Sequence, residues 1–262
     1  PVVAQTGVTA IAAAVNHSLA IVPRFAFNPG GLNDFDGDGA SDLVLFDGNT
    51  GNWSVKRVDQ SEIVANQNWG WPGVEAVPGD YNGDNAADLT FFDQNTGRWF
   101  SQGWLSRPRG KTLLWEVYWG WPGVRPVWGD YDGEGTYDLA VFDQNTGHWF
   151  IRRADGHVLV DGANWGWPGV QPVPGDYDGD AISDLAILDQ ETGRWFIRSL
   201  ADDTLAWSVV WGWAGAIAVP GDYDGDGLSD LAIFDQNTGR WFIRTLAGVE
   251  LAANINWGWP GV

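Results

Sequence analysis

The chain has no cysteine and no methionine, three histidines, and only 14 basic residues against 34 acidic ones in 262 positions. The lack of cysteine excludes disulfides, thiolate metal sites and thiol nucleophiles. The formal charge of −20 argues against nucleic acid and anionic membrane surfaces, which are bound through basic patches that displace counterions. There is no run of 18 apolar residues, so no hydrophobic helix long enough to span a bilayer is expected. His148 stands where arginine stands in equivalent positions, and no Gly-x-Ser-x-Gly elbow, His-Glu-x-x-His or phosphate loop occurs. A first residue other than methionine reads as a processed or trimmed chain, as either removal of an export signal or engineering of the chain would give. The apolar stretch Val8–Val15 has no basic leader before it and is not read as a retained signal peptide.

What is abundant is glycine (36), tryptophan (19) and a repeat. Trp-Gly-Trp begins at Trp69, Trp119, Trp165, Trp211 and Trp257. An acidic loop opens at Asp34, Asp80, Asp130, Asp176 and Asp222, and a Gly-x-Trp turn ends at Trp53, Trp99, Trp149, Trp195 and Trp241. All three recur in the same order, so the chain holds five copies of a 46-residue unit, the second with a four-residue insertion within Ser101–Trp119. Short apolar runs separated by Gly, Asn, Asp and Pro clusters read as about four strands per unit. A period of this length with four strands predicts an all-β, five-bladed β-propeller over residues 28–262, with residues 1–27 as an N-terminal arm or extra strand. The last unit ends on a Trp-Gly-Trp turn, and the first has none before its acidic loop at Asp34. Ring closure by overlap of the two ends is therefore expected, leaving no open sheet edge.

The five loops place acids or amides at their first, third, fifth and ninth positions. These are Asp34, Asp36, Asp38 and Asp42; Asp80, Asn82, Asp84 and Asp88; Asp130, Asp132, Glu134 and Asp138; Asp176, Asp178, Asp180 and Asp184; and Asp222, Asp224, Asp226 and Asp230. Alternate oxygen side chains in a tight loop converge on one point, as in the EF-hand calcium loop, here with a shorter frame. The seventh-position carbonyls of Ala40, Ala86, Thr136, Ile182 and Leu228 are expected to complete the shell, giving up to five Ca2+ ions. Asp and Gly are also ordinary turn residues, but 19 acids in 20 positions exceed what turns require. The sites are expected to be unequal: loop 2 has Asn82, loop 3 the longer Glu134, and loop 4 Ala181 where a left-handed backbone is needed.

The phrase Pro-Gly-Asp-Tyr-Asp-Gly-Asp-Gly-x-Ser-Asp-Leu-Ala-Ile-Phe, at 220–234, resembles the FG-GAP/VCBS repeats of integrin-like propellers, and all five units follow it. The resemblance implies a calcium-loop propeller of secreted or surface-attached, often bacterial, proteins, among them adhesins, lectins and domains of polysaccharide-degrading enzymes. Integrin heads usually have seven blades, so five units depart from that pattern.

Fifteen of the 19 tryptophans belong to the repeat, which points to packing between blades, while stacking on sugar rings is the functional alternative. Asn68, Asn164 and Asn256 before Trp-Gly-Trp, with Arg98, Arg194 and Arg240 before Trp-Phe, would supply hydroxyl partners. The insertion carries Trp104, Arg107, Arg109, Lys111 and Trp115, read either as a solvated hairpin tip or as a partner-docking loop. Glu62, Glu75, Glu116, Glu191 and Glu250 occupy no repeated position, so no catalytic carboxylate pair stands out. Three functions are expected in descending order. The first is a secreted, non-catalytic calcium-stabilised module binding glycans or an extracellular matrix component. The second is an accessory subunit docking through residues 1–27 and 101–119. The third is a calcium-assisted polysaccharide lyase or hydrolase domain with a tyrosine or lysine base.

Overall fold

Each unit's strands follow from where its chain can turn. After Leu-x-x-Phe-Asp, the aspartate reverses the chain on itself. Asp93 accepts the Asn95 N–H through Oδ1 at 2.9 Å and the Thr96 hydroxyl through Oδ2 at 2.8 Å, while its carbonyl takes the Gly97 N–H at 2.8 Å. Asp47, Asp143, Asp189 and Asp235 do the same in the other units. Such Asx turns close hairpins by side-chain mimicry of a backbone turn.

The computed structural model describes residues 17–18, 33–105 and 110–257. Twenty strands form five four-stranded antiparallel sheets, each built from strands consecutive in sequence. The first is β1 (His17–Ser18), β2 (Leu43–Asp47), β3 (Asn52–Lys56) and β4 (Glu62–Asn68). The second is β5 (Val74–Ala76), β6 (Leu89–Asp93), β7 (Arg98–Gly103) and β8 (Lys111–Tyr118). The third is β9 (Val124–Val127), β10 (Leu139–Asp143), β11 (His148–Arg152) and β12 (Val158–Asn164). The fourth is β13 (Val170–Pro172), β14 (Leu185–Asp189), β15 (Arg194–Arg198) and β16 (Thr204–Val210). The fifth is β17 (Ile217–Ala218), β18 (Leu231–Asp235), β19 (Arg240–Arg244) and β20 (Glu250–Asn256). This is a five-bladed β-propeller. No helix occurs among the described residues, and so none is long and apolar enough to cross a membrane.

Burial explains the order of strands within a blade. The second strands are apolar up to their closing aspartate, apart from Thr90 of β6, and β6, β10 and β18 are buried at every position. The fourth strands are mostly exposed and lie outside. The short first strands meet near the centre, where Gln171 Nε2 donates to the Ala218 carbonyl at 3.2 Å, tying β13 to β17. Four hydrophobic cores lie between successive blades. Between blades 2 and 3, for example, Phe92, Trp99 and Leu114 pack with Tyr137, Leu139 and Val141.

Two repeated contacts hold each blade to its closing turn. The buried indoles of Trp53, Trp99, Trp149, Trp195 and Trp241 donate Nε1–H to the carbonyls of Trp69, Trp119, Trp165, Trp211 and Trp257 at 2.6–3.0 Å. Beside this bond two glycines touch. Gly147 has φ 77°, and a Cβ there would lie 2.1 Å from the carbonyl carbon of Gly166; Gly51, Gly97 and Gly193 face Gly70, Gly120 and Gly212 at 2.2–2.3 Å. Only glycine satisfies both the dihedral and the distance.

Of the arm or extra strand expected within residues 1–27, the described residues show a strand: His17 and Ser18 pair with Asp47 and Phe46 as the first strand of blade 1, which carries the propeller to the N-terminal side of residue 28. Blade 1 takes this strand from the N-terminal side. Residues 258–262, on which the overlap was expected, lie outside the described residues.

Gly147→Ala is expected to destabilise the protein by about 2–4 kcal/mol, combining a left-handed penalty with a backbone clash. A denaturant melt measures it, and an unchanged midpoint would mean that the turn tolerates a side chain.

Candidate functional site

Each acidic loop joins the first and second strands of a blade and is organised by its first and last acids. Asp34 Oδ1 accepts the N–H groups of Asp36, Gly37 and Asp38 at 3.2, 2.7 and 3.2 Å, and its Oδ2 takes that of Gly39 at 2.7 Å. Asp80, Asp130, Asp176 and Asp222 gather their own loops likewise. The closing acids Asp42, Asp88, Asp138, Asp184 and Asp230 accept the second residue's N–H at 2.8–2.9 Å. They are at most 2% exposed. The sixth position is left-handed throughout, with φ 83° at Gly39, 63° at Asn85, 86° at Gly135, 66° at Ala181 and 92° at Gly227.

The loops are also joined to one another. The eighth-position N–H groups of Ala87, Tyr137, Ser183 and Ser229 donate at 2.6–2.7 Å to the carbonyls of Asp34, Asp80, Asp130 and Asp176, each in the preceding blade. The acidic loops therefore form a row across successive blades.

In four loops the first, third and ninth acids bring carboxylate oxygens within 4.8 Å of one another: Asp34, Asp36 and Asp42; Asp130, Asp132 and Asp138; Asp176, Asp178 and Asp184; Asp222, Asp224 and Asp230. Asp138 Oδ1 is buried with no hydrogen-bond partner beside Asp130 and Asp132. Hard oxygens at this density suit a dication such as Ca2+. Loop 2 differs, because Asn82 Nδ2 donates to both oxygens of Asp88 at 2.8 and 2.9 Å. The fifth-position residues Asp38, Glu134, Asp180 and Asp226 are exposed and stand outside these clusters, and Asp84 is half-buried. The fifth acid instead accepts the seventh-position N–H of Ala40, Ala86, Ile182 or Leu228 at 2.8–3.2 Å, or in loop 3 the Thr136 hydroxyl at 2.7 Å.

Burial pushes the closing carboxyls far up, to about 7 for Asp42, Asp138 and Asp230 and to about 8 for Asp88 and Asp184. Neighbouring loop acids add to the rise. Two loops carry a countercharge that sequence reasoning missed. Arg57 pairs with Asp36 and, at 3.8 Å, with Asp38. Arg153 pairs with Glu134 and, at 3.6 Å, with Asp132. The signal was the column four residues after the buried Gly-x-Trp indole, which reads Arg57, Gly103, Arg153, Ser199 and Thr245.

The tryptophans separate into layers. The Gly-x-Trp indoles are core, and the first Trp-Gly-Trp indoles Trp69, Trp119, Trp165 and Trp211 are half-buried between blades, whereas Trp257 is exposed. Arg152, Arg198 and Arg244 of the next blade lie over Trp119, Trp165 and Trp211 at 5.2–5.6 Å. The second indoles, Trp71, Trp121, Trp167 and Trp213, stand edge-on to Phe100, Phe150, Phe196 and Phe242 at 4.9–5.0 Å and reach the surface. Arg98, Arg194 and Arg240 turn to the bulged residues Glu116, Ser208 and Asn254 of their own blades. Asn68 is bonded to Thr50 and Asn52.

The proposed docking loop is divided by the fold. Trp104 is buried in the core between blades 1 and 2 with Phe35 and Phe100, so it is not a docking side chain. Lys111 is exposed at the start of β8, whereas Trp115 lies within that strand, 60% exposed. Arg107 and Arg109 lie outside the described residues. Tyr81, Tyr131, Tyr137 and Tyr177 are buried, and Tyr223 is largely so. Burial drives their hydroxyls further from ionisation, which leaves them unsuited as the general base of a lyase.

No protein-family model and no curated protein matches the chain. The likeness of its loops to FG-GAP/VCBS repeats rests on those residues alone. Solved structures do match in fold. A lectin of Agrocybe aegerita that recognises non-reducing terminal N-acetylglucosamine aligns with TM-score 0.55 and 16% identity, over 93% of this chain and 67% of that one. A streptogramin B lyase aligns with TM-score 0.56 and 13% identity, over 92% and 74%. The virginiamycin B lyase of Staphylococcus aureus aligns with TM-score 0.55 and 11% identity, over 92% and 75%. These likenesses establish the propeller and leave its activity to the chain's own residues.

Two predictions follow from the loops. In chelator, the closing acids titrate near 4 when unfolded and at about 7 or 8 when folded. The folded state then binds more protons across that interval, so stability is greatest at the acid end and is lost as pH rises towards about 8. Thermal melts from pH 5 to about 8.5 should show a falling Tm; a rising one would contradict buried, protonated closing acids. Separately, Ala181→Gly relieves a φ of 66°. It should stabilise by about 1 kcal/mol, raising Tm by roughly 2–4 °C, and no gain would place the strain elsewhere.

Proposed function

We propose that the protein is a secreted or surface-associated, non-catalytic binding module for glycans, stabilised by calcium in its acidic loops. The observation that carries the binding reading is the second tryptophan of Trp-Gly-Trp. At successive blade junctions it stands edge-on to a phenylalanine with its ring open to solvent, 37–38% exposed at Trp71, Trp167 and Trp213. Core packing does not require these rings at the surface. A rigid indole offers an apolar face with little entropy to lose, and a sugar ring presents a matching C–H face. Repeated shallow platforms of this kind gain strength through multivalency rather than through one deep cleft. The fold-related lectin recognises N-acetylglucosamine, which agrees with this reading, whereas the fold-related lyases show only that propellers also host chemistry.

The calcium reading is supported by four three-carboxylate clusters, by the unpartnered Asp138 Oδ1 and by the upward pressure on the closing acids. A dication in each loop would replace the protons those acids otherwise hold, and up to five would offset half of the chain's formal charge of −20. Loop 5, with a full aspartate set, Gly227 at its turn and Thr245 where Arg57 and Arg153 stand, is the strongest candidate.

A thermal melt at pH 8 with chelator and then with calcium restored tests the metal. The expected outcome is a large reversible fall in Tm, with stoichiometric calcium by elemental analysis, because a ligand of the folded state stabilises it by mass action. An array of neutral and acidic glycans tests the binding reading, which an array with no retained glycan would overturn.

A further inference from the structure

Two of the five blade junctions carry an additional aromatic side chain that the repeat does not supply. Four residues before each Trp-Gly-Trp the sequence reads Ala65, Trp115, Asp161, Trp207 and Ala253. Trp115 and Trp207 are 60% and 68% exposed. Trp115 lies 5.4 Å from Phe100 at 89° and 6.1 Å from Trp69 of the preceding blade. Trp207 lies 5.3 Å from Phe196 at 88° and 5.8 Å from Trp165 of the preceding blade. In both places a second exposed indole, Trp71 or Trp167, stands on the same phenylalanine at 81–82°. Two solvent-facing tryptophans therefore flank one ring at the 1/2 and 3/4 junctions, in nearly the same geometry.

The backbone fixes this arrangement. The residue after each extra tryptophan is the bulge of the outer strand, with φ 55° at Glu116 and 62° at Ser208. An arginine of the adjacent strand holds that bulge: Arg98 pairs with Glu116 at 3.3 Å, and Arg194 Nη1 donates to Ser208 Oγ at 2.7 Å. The rims differ in charge. Junction 1/2 has Glu116, and Gln102 where blades 3 to 5 have arginine; junction 3/4 has Ser208, with Arg198 over Trp165 at 5.2 Å. A cation would favour the first and an anion the second. What the two share is uncharged: paired indole faces beside polar hydrogen-bonding groups.

We infer that these junctions are two equivalent sites for neutral pyranose rings, formed by Trp71 with Trp115 and by Trp167 with Trp207, which make the protein a bivalent binder of neutral glycans. The inference rests on the glycan-binding reading and narrows it to two sites and an uncharged ligand class. The 4/5 junction has the framework, Trp213 on Phe242, but only Ala253 at the deciding position.

The test uses the full chain in calcium buffer and a panel of immobilised neutral and acidic oligosaccharides. Trp115→Ala and Trp207→Ala should each reduce stoichiometry from two to one and weaken retention on a dense neutral surface at least ~10-fold. The double variant should lose binding, while Trp257→Ala, an exposed indole outside both sites, should retain it. Ala253→Trp should add a third site, a gain that impaired folding cannot imitate, and a melt of each variant checks its fold. Retention of neutral glycans by the double variant, or a preference of the parent for acidic ones, would overturn the two sites and leave the glycan reading intact. Failure of the parent to bind any glycan would overturn both.

Discussion

The hydrogen bond between the eighth residue of one acidic loop and the first carbonyl of the loop before it makes the propeller a connected object. It is short, 2.6–2.7 Å, and recurs at the four junctions from blade 1 to blade 5. Because its acceptor belongs to the aspartate that gathers the loop's own amides, loop shape and blade spacing are set by the same residue. A charged loop is thus built into the contact between sheets. The repulsion among its carboxylates bears on the ring as a whole rather than on one turn. That is why burial and protonation are linked quantities in this fold, and why the proposed dication would act on both.

The tryptophans show how one residue type serves three tasks at different depths. The Gly-x-Trp indole lies in the core and spends its N–H on the closing turn. The first indole of Trp-Gly-Trp fills the space between blades at Trp69, Trp119, Trp165 and Trp211, with an arginine of the next blade over three of these rings. The second reaches water. Depth follows from position in the turn: two glycines in contact bring the turn against the blade, and rings on either side of that contact face in different directions.

Most of the architecture was legible because the repeat is long and its punctuation strict. Five units, four strands each, loops between first and second strands and a left-handed sixth position could all be read from spacing. An extra strand within residues 1–27 was among the expectations, but its position was not legible, since His17–Ser18 matches no column of the repeat. Site residues were legible where a motif recurs and obscure where function lies in departures from it. Trp104 and Trp115 are neighbours in sequence and looked like one loop, yet the fold buries one and exposes the other. Counting back four residues from each Trp-Gly-Trp would have paired Trp115 with Trp207, and the column of Arg57 and Arg153 would have shown which loops carry their own cation.

Those two guanidiniums have a consequence for how the ring comes apart. An arginine that reaches into an acidic loop does part of an ion's work and cannot be washed away. If the loops hold dications as proposed, blades 1 and 3 would keep some cohesion when these are scarce, while blades 4 and 5, with Ser199 and Thr245 in that column, would lack that fixed countercharge. In an assembly whose blades touch mainly their neighbours, such inequality spreads loosening over a range of ion concentrations. The loops are thus unequal around the ring: two of the five carry a fixed countercharge, on blades 1 and 3, and the other three have none in that column.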